Sequence, residues 1–355
     1  MIKPNLFLVL NEACNLDCSY CNVVKTKQAL SRDAIVKSFV YYFKFFPRKE
    51  AYNIFFIGWE PLLSWKNLMF AILFLRKFES ISWKQISIQL PTNGTLLTKE
   101  MCDFFQLYRV KVSVSIDSLD PEYHHRDFVG TSETSSTPLL ATKMHLIRQY
   151  EDVFRVKMVV IPEMLPSIEC DYHTFMELGI KHINIQPAHG VYWSDEHIWE
   201  YIGTIKRVKW DIAHRDECNS SILKKSESVT HKMKRCAKGE SEICIDGYGN
   251  VLVCDAFLAY DPKKRKSTYA HDNIFTPAFN QEKFELWRDW KYCDNSLIAD
   301  ENGKIDKDIT KCKTCDESIS CSKLCNAVPI NGRPLDNDII LSNFKLFKQL
   351  DAVLA

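Results

Sequence analysis

The sequence carries almost no charge imbalance: 46 Lys and Arg face 45 Asp and Glu, a formal net charge of +1. No nucleic-acid partner is expected, because binding a phosphate backbone needs a basic field. The short run Lys263-Lys264-Arg265-Lys266 reads as a solvated loop. Long apolar runs are missing as well. The longest, Leu68 to Leu75, falls far short of the ~20 residues of a membrane span. The start, Met1 to Leu10, has one Lys, a short apolar stretch and no small-residue cleavage site, which excludes a secretory signal. There is no internal repeat and no long low-complexity tract. The expectation is a cytoplasmic protein with neither a membrane nor a nucleic-acid partner.

What the chain has in excess is cysteine, 14 in 355 residues. In a long cytoplasmic chain, clustered cysteines point to metal rather than to disulfides. Three lie within Cys14–Cys21, three within Cys236–Cys254 and four within Cys312–Cys325. Cys102, Cys170, Cys218 and Cys293 are scattered, and the first three read as ordinary structural thiols.

The length suits one large α/β domain with a smaller appendage. Apolar strand candidates begin at Leu6, Asn53, Gln85, Val110, Phe154 and His182, each followed by an amphipathic helical stretch. The first of these helices opens at Ser31-Arg32-Asp33, an N-cap signal. Such alternation predicts parallel βαβ units forming a partial (β/α)6 barrel, with a doubly wound sheet as the alternative that periodicity leaves open. In either architecture the ligand site lies at the C-terminal ends of the strands. After about Ser220 the alternation stops. The predicted organisation is 1–220 for the barrel, 221–341 for a cysteine-rich domain and 342–355 for a helix returning to the barrel.

Cys14-Asn-Leu-Asp-Cys18-Ser-Tyr-Cys21 follows the first strand. Three thiolates so close can hold three irons of a [4Fe–4S] cluster and leave the fourth iron open to a ligand. Zinc is the alternative, but zinc sites favour CxxC pairs or Cys/His sets and no His lies nearby. With Tyr20 before the last cysteine, this motif resembles the radical S-adenosylmethionine (SAM) superfamily. Three further segments carry the resemblance: Gly58-Trp59-Glu60-Pro61, where the family has Gly-Gly-Glu-Pro, Thr92-Asn93-Gly94, and Ser115-Ile116-Asp117 with His124-His125-Arg126. The resemblance implies that SAM chelates the open iron and is cleaved to a 5′-deoxyadenosyl radical. It assigns cofactor contacts to Tyr20, Gly58, Trp59, Glu60, Asn93, Ser115 and Arg126. Trp59 departs from the family glycine and requires an outward side chain or a reshaped pocket wall.

Cys236, Cys244 and Cys254, then Cys312-x2-Cys315-x5-Cys321-x3-Cys325, resemble the SPASM extension of that superfamily. The resemblance implies two auxiliary [4Fe–4S] clusters, three clusters in all. Cys236, Cys244, Cys254 and Cys325 would hold one, and Cys312, Cys315 and Cys321 the other. No cysteine follows Cys325, so the last cluster is one ligand short of the family pattern; either Asp336, Asp338 or another side chain completes it, with Cys293 in reserve, or its fourth iron is open. Asp246-Gly247-Tyr248-Gly249 reads as a hairpin turn.

Enzymes of this layout mostly modify peptides or proteins. The expected function is a radical SAM oxidoreductase that oxidatively crosslinks a ribosomally made peptide through a C–C, C–O or thioether bond. The alternatives are a sulfatase-type maturase forming formylglycine, a small-molecule oxidase, or a non-catalytic electron carrier. Only 13 residues precede Cys14, so a peptide leader is expected to need a separate leader-binding protein or to be held by the barrel and auxiliary domain alone; a flavodoxin- or ferredoxin-like electron donor is also expected. Acid/base candidates are Asp117, His124 and Tyr192, with His125, Gln186, His189 and Asp195 behind them.

Overall fold

A computed structural model of the chain describes residues 3–130, 135–214, 241–289, 298–299 and 305–306, and near the C-terminus 339, 342–343, 345–346 and 349–350. Six strands alternate with six helices. They are β1 (Asn5–Val9), α1 (Arg32–Phe45), β3 (Ala51–Ile57), α2 (Trp65–Ser82), β4 (Gln85–Thr92), α3 (Lys99–Leu107), β5 (Val110–Ser115), α4 (Thr137–Gln149), β7 (Phe154–Val160), α5 (Ile168–Glu177), β8 (Ile183–Pro187) and α6 (Asp195–His214). Two short strands, β2 (Leu16–Cys18) and β6 (Arg126–Phe128), pair with each other outside the main sheet. Local chemistry sets several starts. Ser31 accepts from the Ala34 N–H, and Thr98 from the Met101 N–H, each capping its helix.

The six strands pair in parallel in chain order, β1-β3-β4-β5-β7-β8. A doubly wound sheet requires the order to reverse, so that helices cover both faces. Here it never reverses, and crossovers of one hand send every helix to the same face. The partial barrel is therefore the architecture, not the doubly wound sheet.

Burial alternates with period two along each strand. Leu6, Leu8, Ile54, Phe56, Ile88, Leu90, Val112, Val114, Val156 and Met158 join one core with Phe39, Leu68 and Phe105 of the helices. The residues between them face the barrel interior and are half-buried and largely polar: Ser87 and Gln89, Ser113 and Ser115, Lys157, Gln186.

The sheet does not end at β1. Strand β9 (Glu242–Ile245) pairs in parallel with β1, then β10 (Asn250–Leu252) and β11 (Asp272–Asn273) continue antiparallel. The hairpin at Asp246–Gly249 is formed, with Gly249 at φ +77° where L residues are strained. The strands from Glu242 to Asn273 thus extend the barrel's own sheet. At the C-terminus the described residues are helical. Ser342 Oγ accepts from the Trp193 N–H at 3.1 Å, and Asn343 bridges the Gly190 N–H and the Val191 carbonyl, tying this segment to the loop after β8. Among the described residues, no helix is long and apolar enough to cross a membrane.

Candidate active site: a cysteine loop stitched to the strand ends

The loop after β1 carries Cys14, Cys18 and Cys21, all half-buried. Its shape comes from the neighbouring strand ends. Asn11 donates through Nδ2 to the Glu60 carbonyl at 2.9 Å and accepts from the Ala13 N–H through Oδ1. The Glu60 N–H donates to the Ala13 carbonyl. Asn15 donates to Thr95 Oγ1 and accepts from Asn93 Nδ2, both at 2.9 Å. The β2–β6 pairing sets Cys18 opposite Arg126. The four motifs that are far apart in sequence therefore meet around one loop.

Glu60 is fully buried. Its Oε1 accepts from Thr92 Oγ1 and the Leu62 N–H, and its Oε2 from the Asn93 N–H at 2.7 Å. Burial pushes its pKa up and these donors counter it. Both oxygens are engaged inside the protein, so what this turn offers a ligand is backbone at Gly58 and Trp59. Gly58 is required for the close approach: a Cβ there would sit 2.7 Å from the Asn11 carbonyl oxygen. Trp59 answers the question its departure raised. Its indole N–H reaches back to the Val24 carbonyl at 2.9 Å, closing the far end of the cysteine loop.

Asp117 is buried and spends its carboxylate on Arg126 (Nε 2.7 Å, Nη2 3.0 Å), on the Val159 N–H and on the Tyr20 hydroxyl. The remaining arginine nitrogen, Nη1, lies 3.8 Å from Cys18 Sγ. His124 is also buried. Its Nδ1 accepts from the Ser118 N–H and its Nε2 pairs with Ser136 Oγ at 2.9 Å; burial pushes its pKa down to about 4. Tyr192 is 53% exposed. Asp117 and His124 come within electrostatic reach of each other, and each is held by the protein's own hydrogen bonds. Ser115 stands on the inner face, opposite Lys157 in register.

Burial pushes the Cys14 thiol up and Cys18 up to about 11, and each feels the charge of its neighbours in the motif. Cluster ligands must be deprotonated, and the donors on hand suit thiolates: the Leu16 N–H and Asn93 Nδ2 toward Cys14, Arg126 toward Cys18. The residues present fit an iron–sulfur cluster.

Of the later cysteines, Cys244 and Cys254 are described, and Cys236, Cys312, Cys315, Cys321 and Cys325 lie outside the described residues. Cys244 and Cys254 share a hydrophobic cluster with Val9, Leu252 and Phe257, against which Trp59 packs. Glu242, Cys254 and Asp255 gather with ligand atoms within 4.8 Å of one another. Asp255, which sequence reasoning missed, is raised in pKa by burial and lies within electrostatic reach of Lys157. Its only signal in the sequence was adjacency to a cysteine. Arg265 was misread: it is wholly buried, not part of a solvated loop, because its guanidinium meets two buried carboxylates.

Residues 8–163 match the family described as the Radical SAM superfamily. The serine-type anaerobic sulfatase-maturating enzymes of Klebsiella aerogenes and Klebsiella pneumoniae are 27% and 26% identical over 193 residues, 53% of this chain and 46% and 47% of theirs. The chain therefore spans about half the length of these curated relatives. Among solved structures, native anSMEcpe with bound AdoMet (S-adenosylmethionine) is similar at a TM-score of 0.70 and 16% identity, covering 99% of both chains. Streptococcus suis SuiB bound to its precursor peptide SuiA is similar at 0.59 and 14%, covering 95% of this chain and 76% of that one. At these identities the likeness is one of fold. The match over residues 8–163 is to a radical SAM domain, a family that implies S-adenosylmethionine and an iron–sulfur cluster as cofactors.

Proposed function

We propose that the chain is a radical SAM oxidoreductase that oxidatively crosslinks a ribosomally made peptide. The observation that carries the catalytic part is the convergence of Gly58–Glu60, Asn93 and Arg126 on the Cys14–Cys21 loop. When bound, the cluster and SAM supply a 5′-deoxyadenosyl radical able to take a hydrogen atom from substrate. The protein's part is to hold and shape. Cys14, Cys18 and Cys21 are the cluster ligands, and the backbone of Gly58 and Trp59 with Ser115 lines the SAM side. Tyr20, Asp117 and Arg126 form one buried brace behind Cys18.

Crosslinking removes one hydrogen atom, which the 5′-deoxyadenosyl radical would take, one proton, and one electron, which an auxiliary cluster held by Cys244 and Cys254 would accept. Asp255 is the carboxylate offered as proton acceptor, on its place beside Cys254 and Lys157. In this reading residues 221–341 are the SPASM domain, with Cys236, Cys244, Cys254 and Cys325 on one auxiliary cluster and Cys312, Cys315 and Cys321 on the other, three clusters in all. A separate leader-binding protein and a flavodoxin-like donor complete the system in the cytoplasm. The peptide part is supported by two neighbours in fold that hold peptides, anSMEcpe with Cp18Cys and SuiB with SuiA. The polar, half-buried inner face suits a main chain rich in hydrogen-bonding groups.

Sequence kinship to sulfatase-maturating enzymes favours a second reading, oxidation of a sulfatase side chain to formylglycine. The test is anaerobic reconstitution with SAM and dithionite, then co-expression with a short peptide encoded beside the gene. Release of 5′-deoxyadenosine and a peptide lighter by two hydrogens, without a hydrazide-reactive aldehyde, is the expected result. An aldehyde on a sulfatase would support the second reading. No nucleoside above background would sink both.

A further inference from the structure

One cluster of buried charges takes no part in the chemistry above. Arg265, Glu12 and Asp246 are each wholly buried. Arg265 Nη2 donates to Glu12 Oε2 at 2.8 Å, and Nη1 lies 3.3 Å from Asp246 Oδ2. Glu12 stands two residues before Cys14, and Asp246 two residues after Cys244. The guanidinium therefore joins, through two carboxylates, the segment that leads into the first cysteine loop and the hairpin that bears Cys244.

Other contacts reinforce the join. Glu12 Oε1 accepts from the Gly247 N–H at 3.3 Å, and Thr26 Oγ1 donates to Glu12 Oε2. A Cβ at Gly247 would stand 3.0 Å from Glu12 Cγ, so the hairpin tip is pressed against residue 12. Trp59, bonded to Val24 in the cysteine loop, lies with its ring 6.0 Å from the arginine carbon.

Stability alone is a poor reason for such a triad. Buried ion pairs lose much of their attraction to desolvation, and well-packed apolar side chains often do as well or better. This one is not even fully satisfied: among the described residues neither Arg265 Nε nor Nη1 has a hydrogen-bond acceptor, so its contact with Asp246 is an ion pair alone. A hydrogen bond to Glu12 on one side and an ion pair to Asp246 on the other do what an apolar contact cannot, because a planar charged group held between them sets the register of two segments. We propose that Arg265 is a positioning residue that fixes the Cys14 loop against the Cys244 hairpin, and so sets the spacing between the radical-generating cluster and the adjacent auxiliary centre. The proposal rests on the reading of Cys244 and Cys254 as auxiliary-cluster ligands.

The test uses the full-length reconstituted protein. Removing Arg265 alone leaves two unpaired carboxylates and can cost the fold, so two variants are compared with the parent. Arg265→Lys keeps the charge without the planar group. Glu12→Gln with Arg265→Met removes the pair and leaves the net charge of the triad unchanged. Both are expected to retain full iron content and SAM binding. The readout is the electron-spin relaxation of the reduced radical-SAM cluster, which a second reduced cluster enhances steeply with proximity. Expected is a several-fold change in that enhancement in both variants, with more 5′-deoxyadenosine released in the absence of peptide. Unchanged relaxation in folded variants would overturn the positioning role. Cys244→Ala tests the underlying reading separately: it should lower the iron content by about four atoms. Unchanged iron there would overturn the auxiliary centre, and the proposal with it.

Discussion

His124 tests how the site is read, because position in the sequence suggests an acid/base catalyst and its surroundings suggest a pin. The ring is buried, accepts from the Ser118 N–H and pairs with Ser136, and burial holds its pKa near 4 against a usual value of 6.5. Asp117 opposes that shift and Arg126 adds to it. Because the folded pKa lies below the unfolded one, the stabilising contribution is complete above about pH 6.5 and is lost as pH falls toward 4. Between pH 7.5 and pH 5 the difference in proton binding amounts to about 2 kcal/mol from this one side chain. His271, buried among Phe45, Phe279 and Phe284 and also pushed down to about 4, adds a similar amount with the same sign. Glu60, Asp171, Asp246 and Asp255, raised by burial, act with the opposite sign, so the clean readout is a comparison: between pH 7.5 and pH 5 the cluster-free parent should lose about 2 kcal/mol more than a His124→Gln variant in urea unfolding. That variant should also keep the limbs of the pH profile of SAM cleavage in place. An equal pH dependence of unfolding in parent and variant, or a limb of the profile lost with His124, would refute the pin and restore the catalyst.

Three further outcomes follow from the same geometry. Arg126→Met strands the buried Asp117 carboxylate and should cost about 3–5 kcal/mol in chemical denaturation, whereas Asp117→Asn with Arg126→Met should recover more than half of that. Independent additivity of the two changes would show that the pair does not act as a unit. Trp59→Phe removes the bond to Val24 and should cost about 1 kcal/mol while SAM affinity by calorimetry stays within twofold. A tenfold weaker SAM would place the indole in the binding surface instead. Replacing Cys14, Cys18 or Cys21 by Ala should abolish 5′-deoxyadenosine release and remove about four irons of about twelve, and a variant that kept both would disprove the cluster assignment.

Much of this molecule was legible before folding. The barrel's six strands and six helices are local features: period-two and period-3.6 burial, with Ser31 and Thr98 as caps, depend on residues a few positions apart. The spacing Cys14, Cys18, Cys21 is local as well, and so is the hairpin at Asp246–Gly249. Strand order is not local. Only pairing in space separated the barrel from the doubly wound sheet, because both bury the same alternating pattern. Side-chain roles are decided the same way. Glu60 and Asp117 look like ligand-facing acids in sequence, yet donors from Thr92, Asn93 and Tyr20, distant along the chain, and from Arg126, nine residues on, engage them inside the protein. Arg265 sits in a run of lysines that any composition argument sends to solvent. The tertiary fold brings Glu12, 253 residues away, to within 2.8 Å of its guanidinium, and a charge so compensated can be buried.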